Sequence, residues 1–184
     1  MALDPTQFAS TPAPGRDCGA CTLCCKVYEV PVLEKPMGQW CKHCLPGRGC
    51  AIHETRPGHC RAFHCFWMLA PFLGPEWKPD RARFVLTLDP ITEFLFCQLD
   101  PSQPTAWRKQ PYYGQLKQWA AAGLHNGKLV VVFLNRAMTV VFPDKDVEVG
   151  VPKDGERLLL ERTPRVGGGF DFNARLGTTP ATGA

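Results

Sequence analysis

Nine of the ten cysteines in this 184-residue chain lie between Cys18 and Cys65. That stretch has little periodic apolar pattern, so it cannot bury enough surface alone to offset the entropy of ordering it. Metal ligation would supply the deficit, at roughly 10–16 kcal/mol of apparent binding free energy per structural zinc in small peptides. Disulfides are the rival device, and they belong to oxidising compartments. Met1 to Asp17 has neither the basic start nor the apolar centre of a secretory signal. The expectation is a cytoplasmic protein with reduced thiols that serve as ligands.

The candidate ligands run Cys18-x2-Cys21-x2-Cys24-Cys25, then Cys41-x2-Cys44, Cys50, Cys60 and Cys65. A Cys-x2-Cys knuckle lets two sulfurs reach one tetrahedral ion, and Gly19, Pro46, Gly47, Gly49, Pro57 and Gly58 supply the turns. Vicinal Cys24 and Cys25 converge poorly on a single ion, so the pair points to two metals or to a bridging sulfur. Eight thiolates suit two four-cysteine zinc sites with one spare, and nine suit a three-zinc cluster. Iron–sulfur competes, because soft thiolate sites take either.

Sharper motifs fail on spacing. A bacterial ferredoxin run needs cysteine then proline where Tyr28 and Glu29 stand. Haem attachment needs histidine where Thr22 and Leu45 stand. Trp40-Cys41-Lys42-His43-Cys44 is followed by Leu45-Pro46-Gly47, a turn rather than the helix of a thioredoxin-type motif. His43, His53, His59 and His64 are candidate replacements for a sulfur, with His64 foremost as the neighbour of Cys65. Arg56 and Arg61 are suited to balancing thiolate charge and holding their loop.

The segments Cys18-Gly-Ala-Cys-Thr-Leu-Cys-Cys25, Cys44, Cys50-Ala-Ile-His-Glu-Thr-Arg-Pro57 and Cys60-Arg-Ala-Phe-His-Cys65 resemble the YkgJ-type cysteine-cluster family, described as zinc- or iron-chelating proteins. His53 stands where that family commonly has Tyr, and Cys41 is an addition to its pattern. The resemblance covers about 50 residues and implies a metal-chelating module. Residues 80–162 also resemble an α+β extension found with that module.

Beyond Cys65 the pattern becomes that of an ordinary core. Phe66 to Leu73 predicts a short helix, and Trp77 to Arg83 reads as a polar linker. Arg83–Leu88 and Glu93–Leu99 read as strands, and Pro111–Gly123 as a helix with Tyr112, Leu116, Trp119, Ala120 and Gly123 on one face. Lys128–Leu134 and Ala137–Phe142 predict a hairpin across Asn135-Arg136, followed by strands at Asp146–Val149 and Glu156–Glu161 in one antiparallel sheet. Trp67, Trp77, Trp107, Trp119 and the solitary Cys97 read as core residues.

The predicted fold is therefore α+β: a small irregular metal-stabilised cysteine-cluster module packed on a small antiparallel sheet with one or two helices. Its parts are a disordered lead-in at 1–17, the cluster module at 18–79, a small α+β domain at 80–162 and a flexible tail at 163–184.

Net charge is +4 with thiols neutral. Eight thiolates on two zinc ions would bring it to about zero, and nine on three to about +1. The basic excess is thus no argument for nucleic acid, and no run of residues is long enough to span a membrane. No phosphate loop, nucleotide fingerprint, hydrolase elbow or paired carboxylates are present. What remains is a binding or structural module, holding two or three zinc ions or an iron–sulfur cluster, whose α+β domain is open to a protein partner.

Overall fold

β-Branched and aromatic residues alternating with period two build the centre of the molecule. The computed structural model describes residues 11–178. In chain order the helices are α1 (Cys24–Val27), α2 (Gly58–Ala62), α3 (Phe66–Leu69), α4 (Pro79–Ala82) and α5 (Tyr112–Leu124). The strands are β1 (Cys44–Leu45), β2 (Gly49–Cys50), β3 (Phe84–Leu88), β4 (Leu95–Leu99), β5 (Val130–Leu134), β6 (Ala137–Val141), β7 (Asp146–Gly150), β8 (Arg157–Pro164) and β9 (Phe170–Gly177). No helix among the described residues is long and apolar enough to cross a membrane.

The fold is α+β, with a five-stranded sheet in the order β3-β4-β5-β6-β7. Three of its pairings are antiparallel, and β4 with β5 is parallel. A parallel pair needs a crossover, and α5 provides it. Leu116, Trp119 and Ala120 of α5 pack on Leu86, Cys97 and Val132, the alternate residues of three neighbouring strands. The opposite face, lined by Val131, Val140 and Phe142, is covered by β8 and β9 through Phe172, Ala174 and Leu176. Asn135 takes the left-handed conformation, φ 53°, in the two-residue turn between β5 and β6.

The cysteine-rich segment wraps the β3 edge. Phe66 of α3 enters the core on the α5 side, while Met68, two residues on and so on the opposite side of the helix, joins Leu23, Val27 and Cys65 against Val85. The segment thus borrows strand surface for the apolar cluster it could not build alone.

Several expectations are corrected. Trp77–Arg83, read as a polar linker, contains α4 with Pro79 and Ala82 buried, while Trp77, read as core, lies 5.2 Å from Trp119 and 5.0 Å from Tyr112, ring to ring. Glu156–Glu161 does not extend the main sheet, because β8 pairs with β9 in a separate hairpin. That hairpin also replaces the flexible tail expected from 163 onward, at least as far as Gly177. Gly123 lies inside α5 rather than ending it: a Cβ there would meet the Lys128 carbonyl oxygen at 3.0 Å, so close approach demands glycine. Of the disordered lead-in, residues 1–10 lie outside the described residues, as do 179–184. The remainder is packed, with Ala13 buried and its amide donating to the Met68 carbonyl at 2.8 Å.

Candidate metal centre

Short backbone turns position the cysteines. The Cys21 amide donates to the Cys18 carbonyl at 2.8 Å, and the Cys25 amide to that of Thr22 at 3.0 Å, leading into α1. Successive side chains on a helix diverge by about 100°. Cys24 and Cys25 therefore leave the helix in different directions, yet their side chains still reach each other. The Cys41 amide donates to the Cys25 carbonyl at 3.0 Å, and the Cys44 amide closes the second knuckle on the Cys41 carbonyl at 2.9 Å. Across the β1–β2 pair, Cys44 stands opposite Cys50. The Thr22 hydroxyl accepts from the Gly47 amide at 3.2 Å and ties the two turns together.

Two sets of thiols result, judged by which ones perturb each other. Cys18, Cys21, Cys24 and Cys65 form the first, with Cys18 Sγ 3.5 Å from Met68 Sδ at its edge. Cys25, Cys41, Cys44, Cys50 and Cys60 form the second. They adjoin at Cys24–Cys25, where Cys18 also senses Cys25. All ten cysteines are free thiols. As the side chains stand, no three His, Cys, Asp or Glu groups among the described residues converge to hold a metal ion.

Electrostatics differ sharply within this arrangement. The hydrogen bond from Cys24 to Cys25 pushes Cys24 far up, with burial adding to it. The same bond lowers Cys25 to about 6 against the opposing effect of burial, assisted by Cys44 and Lys35. Burial raises Cys65 and Cys44 to about 11 each. Most of these thiols therefore resist ionising on their own. A soft cation, which deprotonates the thiols it binds, would relieve that resistance.

Cations surround the sulfurs. Lys78 and Arg56 both lower Cys18 against its burial, and Arg56 also lowers Cys60. Arg56 additionally donates to the His53 carbonyl at 2.6 Å, the loop-holding contact expected of it. Arg16 lies within the field of Cys65. Lys35 faces Cys25, Cys41, Cys24 and Cys44. Two polar atoms beside the first set are buried without a hydrogen-bond partner, the Tyr28 hydroxyl and Asp80 Oδ1. Thr87 lies near enough to affect the Tyr28 hydroxyl but is not placed to bond it.

The histidines stand apart from this pattern. His53 and His59 are exposed, with His53 Nδ1 3.4 Å from Glu54 Oε1, while His43 and His64 are half-buried. None joins a metal-holding group with the thiols as placed. Cys97 is fully buried in the α5-side core, and burial alone raises its thiol.

Lys35, Arg16, Lys78, Tyr28 and Asp80 were not legible as site residues. None is a cysteine or histidine of the ligand pattern: Tyr28 and Lys35 lie between Cys25 and Cys41, and Arg16, Lys78 and Asp80 lie beyond the cysteine stretch. No family model matches the chain, no curated protein matches it, and no solved structure matches it.

Proposed function

We propose that the protein is a metal-binding cysteine-cluster protein, with zinc as the ion and a structural or interaction role. What supports this is the gathering of the thiols by short backbone turns, Cys18 to Cys25 on one side and Cys41, Cys44 and Cys50 on the other, joined by the Cys41 amide on the Cys25 carbonyl. Cys18, Cys21, Cys24 and Cys65 would hold one ion, and four thiolates suit tetrahedral zinc. Cys25, Cys41, Cys44, Cys50 and Cys60 would hold a second, with one sulfur in excess of four. The donor chemistry fits: soft sulfurs, raised by burial, with Lys and Arg groups to offset thiolate charge. Bound zinc would supply cross-linking of turns that lack a full core, and the side chains would close onto it from their present separation.

The motif resemblance to YkgJ-type proteins supports the same class. Thiols at this density stay reduced in the cytoplasm, where we place the protein. Its partner is a protein rather than a nucleic acid, since ligation cancels the basic excess. Metal analysis with an absorption spectrum, on protein purified without oxygen, tests the proposal. Two zinc ions per chain with no band near about 400 nm support it. Iron with inorganic sulfide and a brown colour would move the same cysteines to a redox cluster. Protein that is folded and metal-free would refute both.

A further inference from the structure

Among the described residues two charged side chains are buried, Asp100 and Lys35, each only 4% exposed. Asp100 has its counter-ion, Lys26, at 2.5 Å. Lys35 has none: no carboxylate among the described residues lies within ion-pair distance of its ammonium. A lysine on a small protein normally extends its head into water. Here the chain from Val30 to Lys35 closes on itself as an isolated bridge, turning at Glu34 in the left-handed conformation, φ 51°. That turn sends the ammonium inward.

Inside, Lys35 Nζ donates to the Lys26 carbonyl at 2.6 Å and to the Tyr28 carbonyl. Both carbonyls lie at the end of α1, directly after Cys24 and Cys25. The ammonium is therefore fixed behind the sulfurs by backbone contacts, and the ionisable groups that bear on it are all cysteines, led by Cys25 and Cys41. Capping two carbonyls would account for the hydrogen bonds. It would not account for a full charge taken out of water with no anion, which is costly unless a negative partner is present.

We propose that Lys35 is the built-in counter-cation of the second thiolate set, a positioning residue that favours the metal-bound, anionic form of Cys25, Cys41 and Cys44. This rests on the metal-binding function proposed above. A zinc ion with four thiolates carries a net charge of about −2, and one adjacent ammonium halves it. The protonated, metal-free set gains little from the same ammonium. Lys35 thus acts chiefly on retention at the second site, through Cys25, Cys41 and Cys44, and reaches the first only through Cys24.

The test uses the full chain, loaded with zinc, as wild type, Lys35→Gln and Lys35→Arg. Zinc is withdrawn by a competing chelator while native mass spectrometry counts the ions left. Glutamine can still donate to the Lys26 and Tyr28 carbonyls but carries no charge. The expected result is that Lys35→Gln gives up one ion about 10–100-fold more readily, as removal of outer partners typically does, and loosens the other, reached only through Cys24, much less. Lys35→Arg should retain both.

Wild-type behaviour of Lys35→Gln would show that capping is the whole role and overturn the proposal. So would equal loosening of both ions. If Lys35→Gln does not fold, Lys35→Arg decides: loss of one ion despite the retained charge overturns the proposal, and retention of both supports it. A wild-type protein that takes up no zinc would instead defeat the metal-binding reading itself, and this inference with it.

Discussion

Lys26 and Asp100, 74 positions apart in the chain, meet as a largely buried ion pair with Nζ and Oδ1 2.5 Å apart. The pair joins the residue after Cys25 to the end of β4, so it pins the cysteine segment to the sheet. The Ser102 amide and hydroxyl add bonds to the same oxygen at 2.9 and 2.8 Å. Burial would raise the Asp100 carboxyl, but Lys26 and Ser102 outweigh it and hold the carboxyl low. Asp100→Asn should cost about 1–3 kcal/mol in urea unfolding at neutral pH, because it removes the anion from a charged hydrogen bond to the half-buried Lys26 ammonium. A folded-state value below the unfolded one, about 3.9, gives stability that is present above that pH. It is lost as pH falls through the lower folded value. The gap between wild type and Asp100→Asn should therefore close in acid, and a gap independent of pH would contradict the ion-pair account.

Cys24 and Cys25 are neighbours in sequence that belong to different sets, and this makes a sharp stoichiometric prediction. Cys24→Ser should lose the ion of the first set and Cys25→Ser that of the second, each leaving about one zinc per chain. The double variant should hold about none. Cys97→Ser should keep the full complement, while costing about 1–3 kcal/mol for a buried hydroxyl without a partner. Metal counting by mass spectrometry distinguishes these, and equal losses at all three positions would count against the assignment.

What the sequence made legible follows from pattern strength. The α5 face carrying Leu116, Trp119 and Ala120, the Asn135-Arg136 hairpin and the buried Cys97 are local or strongly periodic features, and the structure has them. The parallel pairing of β4 with β5 departs from the antiparallel sheet expected, because α5 between them is a crossover that brings the chain back in the same direction. At the C-terminal end, Gly167, Gly168 and Gly169 suggested a loose tail. All three adopt positive φ in the β8–β9 turn, and Phe170, Phe172, Ala174 and Leu176 alternate as a strand should. Trp77 was legible as core, but the short helix that follows it was masked by Lys78, Asp80 and Arg81. Lys35 carried no signal at all, because its role arises from a turn that buries an ordinary polar side chain.

Truncation tests the hairpin directly. A chain ending at Pro164 keeps β8 but loses its partner, uncovering Val131, Val140 and Phe142 of the sheet. Phe172, Ala174 and Leu176 together bury enough apolar surface that the loss should be at least about 3 kcal/mol. Thermal melting should show a lower midpoint, and size-exclusion chromatography should show self-association through the exposed face. An unchanged melting midpoint would mean that β9 contributes nothing to the core.

Arg16 lies in the segment that the proline- and glycine-rich sequence marked as disordered, yet it is the point at which that segment is fastened. Its guanidinium donates to the carbonyls of Trp67, Pro71 and Leu73, with the Pro71 contact at 2.9 Å, and sits 4.3 Å above the Trp67 ring. Those carbonyls lie in and just beyond α3, the helix that carries Met68 beside Cys65. Arg16→Ala should cost about 1–3 kcal/mol, as loss of charged hydrogen bonds does. Lysine should not rescue it, because one ammonium cannot reproduce a planar fork that reaches three acceptors. Hydrogen exchange gives the decisive readout. In Arg16→Ala the Ala13 amide, bonded to the Met68 carbonyl, should exchange much faster, while the β5 and β6 amides keep their protection. Uniform acceleration across the sheet would instead place Arg16 in the global core, and no acceleration at Ala13 would leave the packed lead-in without its fastening.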